Sequence, residues 1–197
     1  MDANLVARNA ARGLDSPARL ARALERLFHA SVTVLGERPG DVPRHHLSMY
    51  LAPLDRGLVL VGDPRQGRSI VGDGFTPGER SPETGRPLVA DFSEEMVARH
   101  DRAAADLAAA GFRVVRIPTV PFDDKTYLAY TNGVFEVRGG RRIAWMPVFG
   151  IPALDRAAAA VYRGQGWEVR PVPGRAAFPY HGTIGCLVNV LGRGARP

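Results

Sequence analysis

The chain has 197 residues, 45% of them hydrophobic and 23% charged, a composition that belongs to folded globular proteins and excludes the disordered and collagen-like classes. A single cysteine, Cys186, rules out an internal disulfide and a cysteine-rich zinc site, and no apolar run approaches the ~20 residues that cross a bilayer. The formal charge of +6 arises from 26 basic residues, all arginine except Lys125, scattered among Asp and Glu without a basic stripe or interleaved aromatics, so neither a nucleic acid nor a membrane is expected as partner.

From the amino terminus, MDANLVARNAARGLDS has neither a basic start leading into an apolar stretch nor a small-residue cleavage site. Together with a lone thiol this points to the cytoplasm. Ser16-Pro17 reads as an N-cap followed by proline at the first helical position, and Leu20, Leu24, Leu27 and Phe28 recur at helical spacing, which predicts a helix over 17–29. HASVTVLG (29–36) then reads as a strand. HLSMYLAPL (46–54) and GLVLVGDP (57–64) alternate as a hairpin around Asp55-Arg56-Gly57. Residues 64–90, rich in Gly, Pro and charge, read as a long surface loop, either functional or mobile. A second helix begins near Asp91 or Ser93, carries two glutamates in its first turn and runs to Gly111. GFRVVRIP (111–118) is the next strand. TYLAYTNGVFEV (126–137) and RRIAWMPVFG (141–150) form a hairpin around Gly139-Gly140. Pro152 opens a third helix, which closes at Gly164 or Gly166. GWEVRPVP (166–173) and GTIGCLVNVL (182–191) are the last predicted strands.

Helix then strands therefore recurs three times, with the last copy cut short. The chain reads as one α/β domain over 1–197, in units of roughly 1–90, 91–150 and 151–197.

Taken alone, Cys186 is explained by burial, since free cysteines are among the most buried residues and Leu187, Val188 and Val190 surround this one. The repeat adds a second reading. Cys186 and His46 each open the second strand of a unit, so an arrangement of the units around an axis brings thiol and imidazole together, the pair that covalent catalysis needs. His29, His45, His100 and His181 form no metal-ligand spacing and read as solvated or capping residues. Gly62-Asp63-Pro64 reads as turn chemistry, and no spacing selects Asp63 or Glu136 as a site carboxylate.

Gly182-Thr183-Ile184-Gly185-Cys186-Leu187-Val188-Asn189-Val190 resembles the nucleophile motif of the guanidino-group-modifying, or pentein, superfamily, in particular its peptidylarginine and agmatine deiminases. That motif has a glycine four before the cysteine and Asn or Gln three after it. His46-Leu47-Ser48-Met49-Tyr50 is similar to the family's His-x-Asp-Met segment, and Tyr-x-Asn-Gly at 130–133 with Met-Pro-Val-Phe-Gly at 146–150 resembles the strands before the nucleophile. The likeness covers about residues 30 to 191, in the family's order.

The resemblance implies an α/β propeller of five ββαβ units, of which about three are represented here. It implies that Cys186 attacks the carbon of a small guanidino compound or an arginine side chain, that His46 protonates the departing amine, and that a covalent thiouronium is hydrolysed or passed to an amine. No cofactor or metal is called for. Ser48 stands where the family has an aspartate and, with Asn189, is what the motifs leave to contact the substrate. Gly185 replaces a histidine, and the family's amino-terminal units with their guanidinium-binding Asp lie outside the similarity. The rival reading is a non-catalytic binding or structural relative, or a truncated pseudoenzyme. Under either reading the open flank beside Leu20, Leu24 and Leu27 is expected to be covered by self-association or to leave the chain prone to aggregate.

Overall fold

A computed structural model describes residues 1–189. The elements in chain order are α1 (Asn4–Asn9), α2 (Pro17–Phe28), β1 (Leu51–Asp55), β2 (Leu58–Asp63), α3 (Pro64–Val71), α4 (Glu94–Ala109), β3 (Arg113–Pro121), β4 (Tyr127–Ala129), β5 (Val134–Arg138), β6 (Arg141–Val148), α5 (Pro152–Gly164), β7 (Glu168–Pro173) and α6 (Ile184–Leu187). The three long helices lie where caps and periodicity put them. Ser16 Oγ accepts from Arg19 N at 3.3 Å, and Ser93 Oγ accepts from Met96 N at 3.2 Å, each satisfying an orphan donor of a first turn.

The strands form two sheets, in the orders β1-β2-β3-β4 and β5-β6-β7. Each contains an antiparallel hairpin followed by a parallel crossover: β1 pairs β2 and β2 runs parallel to β3, while β5 pairs β6 and β6 runs parallel to β7. A parallel strand needs helices on its faces, and β2 has them. Val59 and Val61 face Ala103 and Leu107 of α4. Leu58 and Leu60 point the other way, into a cluster holding Leu154, Ala158 and Tyr162 of α5. The same cluster contains Ala144, Met146 and Trp167 of the second sheet, so α5 fills the space between the sheets, and its alanines allow the close approach.

Four expectations need correction. Residues 29–36 do not form a strand, because no extended neighbour lies alongside; a single parallel bridge joins Leu35 to Asp2. Residues 64–71 are the helix α3, started by Pro64 and capped by Asp63 Oδ1, which accepts from Arg65 N at 2.9 Å. Residues 126–137 are not one strand, since the chain turns inward at 130–133 and divides into β4 of one sheet and β5 of the other. Residues 184–187, within the strand expected over 182–191, are a short helical turn, and 190–191 lie outside the described residues.

His100 is fully buried rather than solvated, with Nδ1 donating to Met96 O at 2.9 Å and its ring between those of Tyr50 and Tyr127. Burial pushes its pKa from 6.5 down to about 4. The folded chain thus holds His100 neutral where the unfolded chain takes up a proton, so its contribution is complete above pH 6.5 and is lost as pH falls toward 4. Stability is expected to drop by about 3 kcal/mol between pH 7.5 and 4.5 from this group. Urea midpoints at the two pH values check this. A His100→Asn variant, whose amide can still donate to Met96 O, should show a correspondingly flatter pH dependence.

Candidate active site

Two segments far apart in sequence meet on the inward turn at 130–133. Asn132 is fully buried at its centre. Its Nδ2 donates to Ser48 Oγ at 2.9 Å and to Met49 Sδ at 3.3 Å, and it approaches Cys186 Sγ at 3.2 Å. Its oxygens hold the carboxy-terminal segment: buried Thr183 Oγ1 lies 2.9 Å from both Asn132 O and Oδ1, and Gly185 N donates to Asn132 O at 3.1 Å. One side chain thus holds the Ser48 hydroxyl on one side and approaches the cysteine on the other, while Thr131 Oγ1 donates to Ser48 O at 2.9 Å.

The turn bearing Cys186 is closed by Cys186 N donating to Thr183 O at 3.0 Å. Gly182 is needed beneath it, because a Cβ there would lie 2.9 Å from Cys186 Cβ and 3.1 Å from Sγ. That close approach accounts for a glycine four residues before the cysteine. Cys186 is exposed, as are Leu187 and Val188, so the buried-core explanation of this cysteine does not hold. Neither residue opens a strand: Cys186 lies on α6, and His46 precedes the 3-10 turn Leu47–Met49, whose Met49 N donates to His46 O at 2.9 Å.

His46, Ser48 and Cys186 nevertheless line one cleft, of about 640 Å³, together with Tyr180 and His181. Asn189 lies past the turn, exposed, and is not part of the lining. The His46 ring stacks on His45 with centroids 4.7 Å apart. His45 Nε2 lies 2.8 Å from His181 O, and since a carbonyl only accepts, that nitrogen carries the proton. Burial holds the His45 pKa below its ordinary value, so this ring is neutral at pH 7 while packing against His46. His181 is held by Thr126 Oγ1 at 3.0 Å on Nδ1 and by Glu83 Oε1 at 3.2 Å on Nε2. His181 therefore lines the cleft and His45, bonded to His181 O and stacked on His46, packs beside it, instead of being solvated, and Asn132 is a site residue that only the loosely read Tyr-x-Asn-Gly signal could have indicated.

Among the described residues, no carboxylate lines this cleft. Asp63 is engaged with the amino terminus of α3 and with Arg116, and Glu136 accepts from Trp145 Nε1 at 3.3 Å.

No protein-family model matches the chain, and no curated protein matches it in sequence. Solved structures do. The agmatine deiminase of C. jejuni superposes with a TM-score of 0.53 over 86% of this chain at 13% identity, and its cysteine-to-serine variant with substrate bound gives 0.51. A protein provisionally named as a peptidyl-arginine deiminase gives 0.55 over 91% of this chain, again at 13% identity. The chain spans about half the length of these structures, 45%, 44% and 49% of each. The fold is thus the mixed α/β fold seen in these deiminase structures. The likeness to the pentein superfamily carried by the motifs at 46–50, 130–133 and 182–190 is met at the level of the fold.

Proposed function

We propose that the chain is a cysteine-dependent hydrolase or amidinotransferase acting on a guanidino substrate, with Cys186 as nucleophile, His46 as general acid and base, and Asn132 and Ser48 as positioning residues. The observation that carries this reading is the sharing of one open cleft by Cys186 and His46, 140 positions apart in the numbering, with Asn132 bonded toward both Ser48 and the sulfur.

The Cys186 thiolate forms a C–S bond to the guanidinium carbon while a C=N electron pair moves onto nitrogen. The C–N bond then breaks, and the departing amine takes its proton from His46. In the hydrolytic branch, water gives one proton back to His46 as it attacks the thiouronium carbon, and collapse of the adduct expels the thiolate while the second water proton goes to the released ammonia, leaving a ureido product and ammonium. The Asn132 amide, 3.2 Å from Sγ, holds the sulfur at the cleft throughout the cycle.

The repeated hairpin and crossover supports a propeller of ββαβ units, divided near 90 and 150 as the sequence divides. Leu27 and Phe28 at the end of α2 are 69% and 66% exposed, which supports a homo-oligomer formed on that flank. A cytoplasmic setting keeps the thiol reduced.

Native-state alkylation tests the assignment. Iodoacetamide is expected to modify Cys186 in the folded protein, about tenfold more slowly in His46→Ala, because the cleft then lacks the imidazole that takes up the thiol proton. Modification that appears only above the unfolding midpoint overturns it.

A further inference from the structure

Among the described residues that line the Cys186 cleft, Tyr180 supplies the one phenol ring, and it is 72% exposed. The ring stands on a firm base. Tyr180 ends the 3-10 turn Phe178–Tyr180, in which Tyr180 N donates to Ala177 O at 2.9 Å and both Phe178 and Pro179 are buried. The Phe178 ring packs against those of Phe122 and Phe149, with centroids 5.9 and 5.8 Å away. On the other side His181 takes a left-handed φ of 67°, and its ring is held by Thr126 and Glu83. Gly182 then lies directly beneath Cys186. Ring and sulfur are thus six positions apart on one well-anchored segment and border the same space.

A cation entering this space has few other partners. No carboxylate of the described residues lines it, and Ser48 Oγ already accepts from Asn132 Nδ2, which leaves that oxygen one lone pair. The face of an aromatic ring is the negative part of its quadrupole and attracts a cation within about 6 Å of the ring centroid. A planar, delocalised and weakly hydrated guanidinium stacks on such a face better than a compact, strongly hydrated ammonium does. We propose that Tyr180 is a substrate-binding residue, its ring face receiving a planar guanidinium or amidinium by cation–π stacking in place of an ion pair. That the stacked cation is the one Cys186 attacks rests on the function proposed above; the ring platform itself does not. Recognition of this kind also distinguishes the two ends of the reaction. Hydrolysis turns the cation into a neutral urea of nearly the same shape, so the attraction lapses once product has formed.

Isothermal titration of a Cys186→Ser variant, which lacks the nucleophile, tests the proposal with butylguanidinium and its neutral isostere butylurea. The guanidinium is expected to bind at least about fivefold more tightly than the urea. On the same background Tyr180→Phe should retain most of that affinity, and Tyr180→Leu should lose about fivefold. A ring-trifluorinated phenylalanine at position 180 withdraws negative charge from the ring face with little change of shape. Relative to phenylalanine it should weaken butylguanidinium by about fivefold and leave butylurea unchanged, which a merely apolar contact would not do. Circular dichroism and urea midpoints equal to those of the parent show that each variant is folded. Undiminished affinity in Tyr180→Leu, insensitivity to fluorination, or no measurable binding of butylguanidinium overturns the platform even if Cys186 is alkylated and guanidino turnover is seen in the unaltered chain. Fluorination-sensitive binding while Cys186 stays inert upholds the platform and overturns the guanidino chemistry instead.

Discussion

Replacing Asp155 by alanine is expected to destabilise the chain by on the order of 4 kcal/mol and to disorganise the Cys186 cleft together with it. Asp155 sits in the first turn of α5, and its two oxygens serve four donors. Oδ1 accepts from Tyr130 hydroxyl at 2.6 Å and from Phe149 N at 3.0 Å, while Oδ2 accepts from Gly150 N and Ile151 N, both at 3.1 Å. The carboxylate therefore ties the entry of α5, which Ile151 caps without a side-chain bond, to the turn that begins at Tyr130. Tyr130 is fully buried, so alanine leaves its hydroxyl orphaned, a cost of about 1–3 kcal/mol before the three backbone donors are counted. Asp155→Asn should recover only part of the loss, because an amide offers one acceptor where two are needed and turns its own hydrogens toward Gly150 and Ile151. Two residues beyond Tyr130 is Asn132, and the turn it sits on loses an anchor. Urea unfolding gives the stability change. Iodoacetamide labelling of the fraction that remains folded should show a changed Cys186 rate, and wild-type stability in Asp155→Ala would refute the account.

Gly67→Ala carries the second large effect, at about 3 kcal/mol or more. Alanine ordinarily improves a helix interior by up to about 1 kcal/mol over glycine, so the sign here is set by packing. A Cβ on Gly67 would lie 2.0 Å from Thr119 O and 2.9 Å from its carbonyl carbon. Both are backbone atoms of β3, which is bonded on one side to β2 and on the other to β4, and Thr119 Oγ1 also donates to Leu128 O at 3.1 Å. Nothing there can yield, so α3 has to move off the sheet. Thermal unfolding of Gly67→Ala against Gly67→Ser and wild type checks this. Both variants should be markedly less stable; an alanine variant equal to wild type would show that α3 is not seated where Gly67 touches Thr119.

Gly67 also shows where reading the sequence stops. A glycine amid Pro, Gln, Arg and Ser looks like a loop, and Pro64–Val71 reads that way because only its proline and the preceding Asp63 mark a helix start. The pattern is too short for a helical period, and the glycine answers a strand 52 positions later. By contrast α2, α4 and α5 were legible because their caps, prolines and apolar spacing are local facts. The hairpins were legible for the same reason, their turns and alternation lying within a few residues.

Residues 29–36 have the composition of a strand and lack what composition cannot supply, a neighbouring edge to bond; only Leu35 finds one. The segment 182–191 has the same apolar look, yet Thr183 and Gly185 bond to Asn132 and bend 184–187 into a turn that exposes Cys186. For the site, the repeat and the likeness to a family motif pointed to Cys186 and His46, and that likeness alone to Ser48, because a motif is carried by spacing. What tertiary structure alone decided is that these three share a cleft, that Asn132 joins them, and that His181 lines the cleft with His45 held against it. Those facts depend on contacts between segments more than 50 positions apart, which hydrogen-bond satisfaction and packing select and no local pattern records.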